Sequence, residues 1–348
     1  MGQAKSAFLR STSAGASVSM VSAEKVSVDA PTVLVTDSTV NLSRLCECSR
    51  VFQYMHNGKM PRDLLMQQIA NVDALYCMVR DKIDKEVLEA AKNLKIIATM
   101  SVGFDHIDID ECKKRNIVVT NTPDVLTETT AELTVALLLA TARRLCEGVA
   151  DVKNGRWGTW EPFYMCGVGL YESTIGVIGL GRIGCSVIEK LKSFHPNRIV
   201  YNDIQPIEKR ASQLGVKYVK ADELLSESDF IVMTCSMNAS NRHFINKETL
   251  SKMKKNAIFI NTSRGGLVNQ DDLYEALKEG RIRAAGIDVT DPEPMPTNHP
   301  LLTLPNCVVL PHIGSATMAT RQRMMELAEE AILHTFNKIQ IPDSIRVV

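Results

Sequence analysis

The chain has 348 residues, too many for one ordinary core, and that length alone argues for about two domains. Forty basic and forty acidic residues cancel, so no global field holds nucleic acid or an anionic membrane, and a small-molecule partner becomes the default. Nine scattered cysteines, an odd number without a CxxC pair, fit a reducing compartment better than a disulfide framework and offer no metal-ligand spacing.

Residues 1–30 read as a disordered tail or a targeting segment. The stretch "MGQAKSAFLRSTSAGASVSM" is rich in Ser and Ala, carries Lys5 and Arg10, and meets no acidic residue before Glu24, which suits a mitochondrial presequence. Gly2 and Ser6 also match a myristoylation site, and Met20 offers an alternative start, so these readings stay open beside that of a plain tail. A cytoplasmic location is expected, with mitochondrial targeting by residues 1–20 as its variant.

From Pro31 short apolar runs alternate with helical segments: "TVLVT" at 32–36, a helix opening at Pro61, then "ALYCMV", "KIIATM" and "NIVVT" up to 120. Such alternation predicts a parallel sheet covered on both faces. A long helix is expected over 127–152. Its apolar run "LTVALLLATA" is far short of the roughly 20 residues of a membrane span. The Gly- and aromatic-rich run that follows reads as an extended loop. At Thr174 a second α/β unit begins, with candidate strands "TIGVI", "RIVYND", "DFIVMTC", "NAIFINTS", "RAAGIDV" and "NCVVL"; after Ser315 the chain turns helical to about Lys338.

"GLGRIG" carries G-x-G-x-x-G between an apolar strand and a helical pattern, the context that turns a weak motif into a dinucleotide site. Gly179 permits the tight turn, Gly181 lets the backbone approach a pyrophosphate, and Gly184 lets helix pack on strand. Arg182 and Ile183 open the helix, whose first amides suit phosphate. Asp203, nineteen residues past Gly184, ends the next strand and suits the adenosine ribose hydroxyls; no arginine follows it. This favours NAD over NADP, with a turn-capping role for Asp203 as the alternative.

Three later strand ends each deliver one charged or titratable residue to the same rim: Arg264, Glu293 and His312. Singly, each reads as a surface or turn residue. Together they offer a guanidinium for a carboxylate, and an imidazole oriented by a carboxylate for proton transfer near neutral pH.

These residues also carry a likeness. "GLGRIG", "NTSRGGLVNQDDLYEAL", "AAGIDVTDPEP", "NCVVLPHIGSAT" and, upstream, "TMSVGFDHID" resemble the D-isomer-specific 2-hydroxyacid dehydrogenase family from about Val33 to the C-terminus. "TPDVLTETTAEL" and "VKNGRWGTWEPFYMCGVGL" are similar to its glyoxylate/hydroxypyruvate reductase branch. The resemblance implies two doubly wound parallel-sheet domains. A Rossmann nucleotide-binding domain, 127–316, is inserted into a flavodoxin-like substrate domain, 31–126 and 317–348, with the active site in the interdomain cleft. It implies that Arg264 binds the substrate carboxylate, that Glu293 and His312 form the acid/base pair, and that Val102 and Gly103 lend amides to the substrate. Ser236, Thr262, Asp288, His312 and Gly314 match cofactor-lining positions, and Ser315 a substrate-side one. Trp160 matches a residue that reaches the neighbouring subunit's site in a homodimer built through the inserted domain, for which "AELTVALLLATARR" looks apolar beyond one core-facing stripe. Relatives preferring NADPH carry Gly-Arg where this chain has Asp203 and Ile204. The expected activity is NAD(P)H-dependent reduction of glyoxylate to glycolate and of hydroxypyruvate to D-glycerate. The alternatives are another D-2-hydroxyacid dehydrogenase or an NAD-sensing corepressor-like binding protein.

Overall fold

The computed structural model describes residues 16–348, so the readings of Gly2 and Ser6 lie outside the described residues. The chain divides into two compact units, one from the residues up to Leu126 together with Met318–Val348, the other from Thr127–Thr317.

The first unit runs β1 (Val18–Met20), β2 (Thr32–Val35), α1 (Ser43–Cys48), β3 (Arg50–Tyr54), α2 (Arg62–Ile69), β4 (Ala74–Cys77), α3 (Lys85–Ala90), β5 (Ile96–Thr99), α4 (Ile109–Lys114) and β6 (Val118–Thr120). Its sheet has the order β1-β3-β2-β4-β5-β6, parallel throughout except for β1. Without β1 this is the flavodoxin-like order. Successive strand residues point to opposite faces, so Leu34 joins one core with Leu75, Ile97 and Val119, while Val33 and Val35 join another with Tyr76 and Ala98. Burial on both faces is why these strands read as continuous apolar runs.

One expectation needs correction here, and one strand was not foreseen. Val18–Met20, read as tail, pairs antiparallel with β3, Val18 opposite Tyr54. The strand "RVFQY" carried too weak a signal because Arg50 and Gln53 interrupt its apolar run.

The second unit runs α5 (Thr127–Ala142), α6 (Leu145–Lys153), β7 (Thr174–Ile178), α7 (Arg182–Lys192), β8 (Arg198–Asn202), α8 (Glu208–Leu214), β9 (Lys217–Tyr218), α9 (Ala221–Glu227), β10 (Phe230–Met233), α10 (Lys247–Lys252), β11 (Ile258–Asn261), α11 (Gln270–Lys278), β12 (Ala284–Ile287) and β13 (Cys307–Val309). Every strand pair is parallel in the order β13-β12-β11-β10-β7-β8-β9, a Rossmann sheet with a seventh strand added beyond β12. The chain then returns to the first unit through α12 (Met318–Phe336), which packs on β5 and β4, its Ala328, Ala331 and Ile332 sharing a core with Tyr76 and Ala98.

The single helix expected over 127–152 is two. Arg144 adopts a left-handed φ of 55°, and the Ala142 carbonyl accepts the amide of Val168 at 2.9 Å. The returning loop therefore caps α5. The apolar excess of α5 is also used within the chain: Val135, Leu137, Leu138 and Ala142 are buried in its own core. The exposed apolar side chains lie instead on α6, at Leu145, Val149 and Val152, and in the following loop at Trp157, Trp160 and Phe163.

Candidate active site

The loop after β7 is shaped by its glycines. Gly179 has φ of +100°, a left-handed backbone that side chains rarely adopt, and a Cβ there would sit 2.6 Å from the Cys235 backbone. A Cβ on Gly184 would strike the Gly179 carbonyl and lie 2.9 Å from Thr234 Oγ1, so helix meets strand at a distance only glycine allows. Gly181 differs, for nothing lies within 4 Å of its added Cβ. It leaves space open beside the first turn of α7, where the amides lack intrahelical acceptors. This cradle fits the pyrophosphate of a dinucleotide.

Asp203 follows β8, and its Oδ2 accepts the Leu180 amide at 2.8 Å while Oδ1 accepts that of Ile204 at 2.8 Å. Ile204 itself is exposed. Arg182 is exposed, whereas the Ile183 side chain packs on the core and offers only its backbone. Ser236 is exposed beyond β10, its carbonyl taken by Asn241. Thr262 is buried and shares a 2.8 Å hydrogen bond with Thr134. Burial, with the nearby charge of Asp203, pushes the Cys235 thiol up to about 11, which leaves it inert at neutral pH.

Arg264 lies three residues beyond β11 in a turn braced by Asn261, whose side chain donates to the Arg264 carbonyl at 2.9 Å and accepts the Ser263 amide at 3.0 Å. Nη1 of Arg264 donates to the Ser263 carbonyl at 2.8 Å. The next residue, Gly265, lies so close to the Thr290–Asp291 backbone that no Cβ fits, so the loops after β11 and β12 touch.

Beyond β12, buried Asp288 accepts the amides of Ile313 and Gly314, both at 2.8 Å, while its carbonyl accepts the His312 amide at 2.9 Å. This anchors the segment after β13 and holds His312 at a left-handed φ of 54°. The carboxylate of Asp288, a residue expected to line the cofactor, is engaged by these two backbone amides. Burial raises its pKa against the opposing pull of the two amides and of His312.

His312 Nδ1 lies 2.5 Å from Glu293 Oε1. The other oxygen of Glu293 accepts the Thr290 amide at 3.4 Å. Burial pushes the Glu293 carboxyl up, but the hydrogen bond and charge of His312, the Thr290 amide and the Arg264 guanidinium together outweigh it and hold the pKa below the ordinary glutamate value. An ionised carboxylate only accepts, so Nδ1 carries the hydrogen and Nε2 is left for other partners. The structure thus brings Arg264, Glu293 and His312 together, with Gly314 buried against Asp288 and Thr130, and Ser315 half-buried beside it.

In the first unit, Val102 and Gly103 form the turn after β5; the Val102 carbonyl accepts Asn121 Nδ2 at 2.7 Å and the Gly103 carbonyl accepts Ser101 Oγ at 2.7 Å. Trp160 is 82% exposed in the single chain. Two positioning contacts escaped the sequence reading. Neither Asp288 on the loop amides nor Arg210 on the Leu180 carbonyl has a local signature, since both bridge residues more than twenty positions apart.

Fold, glycine cradle and strand-end residues define a nicotinamide-dinucleotide-binding domain of the doubly wound class. Residues 135–314 match the model of the "D-isomer specific 2-hydroxyacid dehydrogenase, NAD binding domain". The chain is 49% identical over 312 residues to the human glyoxylate reductase/hydroxypyruvate reductase, covering 89% of this chain and 95% of that one. It is 42% identical to the glyoxylate reductase of Korarchaeum cryptofilum, over 87% of this chain and 91% of that one. A crystal structure of a Thermus thermophilus protein superposes with a TM-score of 0.83 at 41% identity, covering 91% of this chain and all (100%) of that one. The chain belongs to the D-isomer-specific 2-hydroxyacid dehydrogenase family.

Proposed function

We propose that the protein reduces glyoxylate to glycolate and hydroxypyruvate to D-glycerate. The observation that carries the reading is the 2.5 Å Glu293–His312 pair beside Arg264, on the carboxyl rim of the sheet that holds the glycine cradle. The names of the human and archaeal relatives support the choice of substrate. Bound NAD(P)H supplies the hydride. Arg264 clamps the substrate carboxylate through parallel hydrogen bonds and polarises the neighbouring carbonyl. His312 gives the Nε2 proton to the carbonyl oxygen as it becomes a hydroxyl, and Glu293 stabilises the imidazolium before transfer. Val102 and Gly103 offer backbone amides to the carboxylate, Ser315 adds a polar contact on the substrate side, and Ser236, Thr262 and Gly314 line the cofactor through their backbones.

In this reading Asp203 faces the adenosine ribose and selects NAD over NADP, because its carboxylate accepts from hydroxyls and repels a 2′-phosphate. The exposed apolar surface of α6 and the loop bearing Trp160 packs on a second copy of the chain, carrying Trp160 to that copy's site. No helix among the described residues is long and apolar enough to cross a membrane, and all nine cysteines are free. The reading places the enzyme in a reducing aqueous compartment, the cytoplasm or, with residues 1–20 as a presequence, the mitochondrial matrix. A reporter carrying residues 1–20 decides between them. Steady-state oxidation of NADH and NADPH with glyoxylate, hydroxypyruvate and pyruvate tests the activity. Turnover of the first two supports it; tight NADH binding without turnover of any 2-keto acid favours the nucleotide-sensing alternative.

A further inference from the structure

The glycine loop is gripped at one residue from both sides. Leu180 donates its amide to Asp203 Oδ2 at 2.8 Å, and its carbonyl accepts Nη1 of Arg210 at 2.9 Å. Arg210 is the third residue of α8, the short helix that follows Asp203. Its guanidinium gives this N–H to a neutral group, and among the described residues no carboxylate forms an ion pair with it. A positive charge with further donors therefore stands one residue's width from the carboxylate that faces the ribose.

We infer that Arg210 is a latent receptor for an adenosine 2′-phosphate, masked by the charge of Asp203. Removing that one charge then admits NADP(H) without any new arginine. A 2′-phosphate approaching Asp203 meets a like charge at close range, which cancels the attraction of Arg210 across the Leu180 peptide. Once the carboxylate is neutral, the attraction acts alone, and the planar fork suits phosphate oxygens. The sequence does not advertise this, because the expected arginine directly after the acid is Ile204 here and Arg210 comes back to the loop only through the turn into α8. The inference rests on the proposal that the adenosine ribose lies at Asp203, and the test separates the two.

Calorimetric titration of NADH and NADPH into four forms decides it: the natural chain, Asp203→Asn, and Asp203→Asn combined with Arg210→Gln or Arg210→Lys. Asparagine is isosteric and keeps one acceptor oxygen, enough for the Leu180 amide with the Ile204 amide turned to solvent, and glutamine keeps a donor for the Leu180 carbonyl, so the grip on Leu180 is retained. Asp203→Asn is expected to tighten NADPH about tenfold or more. Adding Arg210→Gln is expected to undo that gain while weakening NADH far less, and Arg210→Lys to restore much of it. An equal loss for both cofactors would reduce Arg210 to a loop brace and overturn the inference, as would NADPH affinity indifferent to Asp203→Asn. Failure of the natural chain to bind NADH would refute the cofactor proposal itself and take the inference with it.

Discussion

The Nδ1 atom of His312 lies 2.5 Å from Oε1 of Glu293, while the amide of the same histidine is held by the carbonyl of Asp288. One partner orients the ring and the other the backbone. The two attachments make separate demands on pH and on stability.

Glu293 titrates below its ordinary value in the folded chain. Its interactions favour folding above the unfolded-state pKa, and that contribution is lost as pH falls through the lowered one. Thermal denaturation of the natural chain and of Glu293→Gln, followed from neutral pH into the acid carboxylate range, should show a stability gap that closes on acidification. A gap that widens there contradicts the assignment.

Asp288 is predicted to be a positioning residue. Asp288→Ala leaves the buried amides of Ile313 and Gly314 without acceptors, a loss of about 2–5 kcal/mol in unfolding free energy. Asp288→Asn, which keeps one oxygen, should cost less than half as much. Chemical denaturation measures both, and an alanine variant within about 0.5 kcal/mol of the natural chain would show that the anchor is dispensable.

The glycines of the β7 loop should separate fold from ligand. Gly184→Ala forces a Cβ onto the Gly179 carbonyl and is expected to destabilise by about 1–3 kcal/mol. Gly181→Ala meets open space, so it should fold as the natural chain does yet bind NADH more weakly, because the methyl stands where the pyrophosphate approaches. Calorimetric titration checks this, and unchanged NADH affinity would move the pyrophosphate elsewhere.

Val149, half exposed on α6, tests the proposed dimer. Light scattering should report twice the chain mass for the natural protein and a single chain mass for Val149→Asp. A dimer that survives the substitution puts the interface on another surface.

Most of this was legible because strand ends in parallel sheets face one rim, and the sequence marks them: apolar run, then Arg264, Glu293 or His312. The break at Arg144 was not, since it depends on a loop residue, Val168, capping Ala142 from 26 positions away. The surplus apolar character of α5 misled for a similar reason. Whether Leu137 faces solvent or β12 is decided by the close approach of Gly286, whose added Cβ would meet Leu137 at 2.9 Å, and no local pattern records that contact.

The most direct test is kcat for hydroxypyruvate reduction by His312→Ala, with NADH affinity measured on the same sample. Loss of the general acid predicts a fall of about 10² to 10⁴ in kcat with NADH binding nearly unchanged. Undiminished turnover would contradict the assignment of His312 as the proton donor.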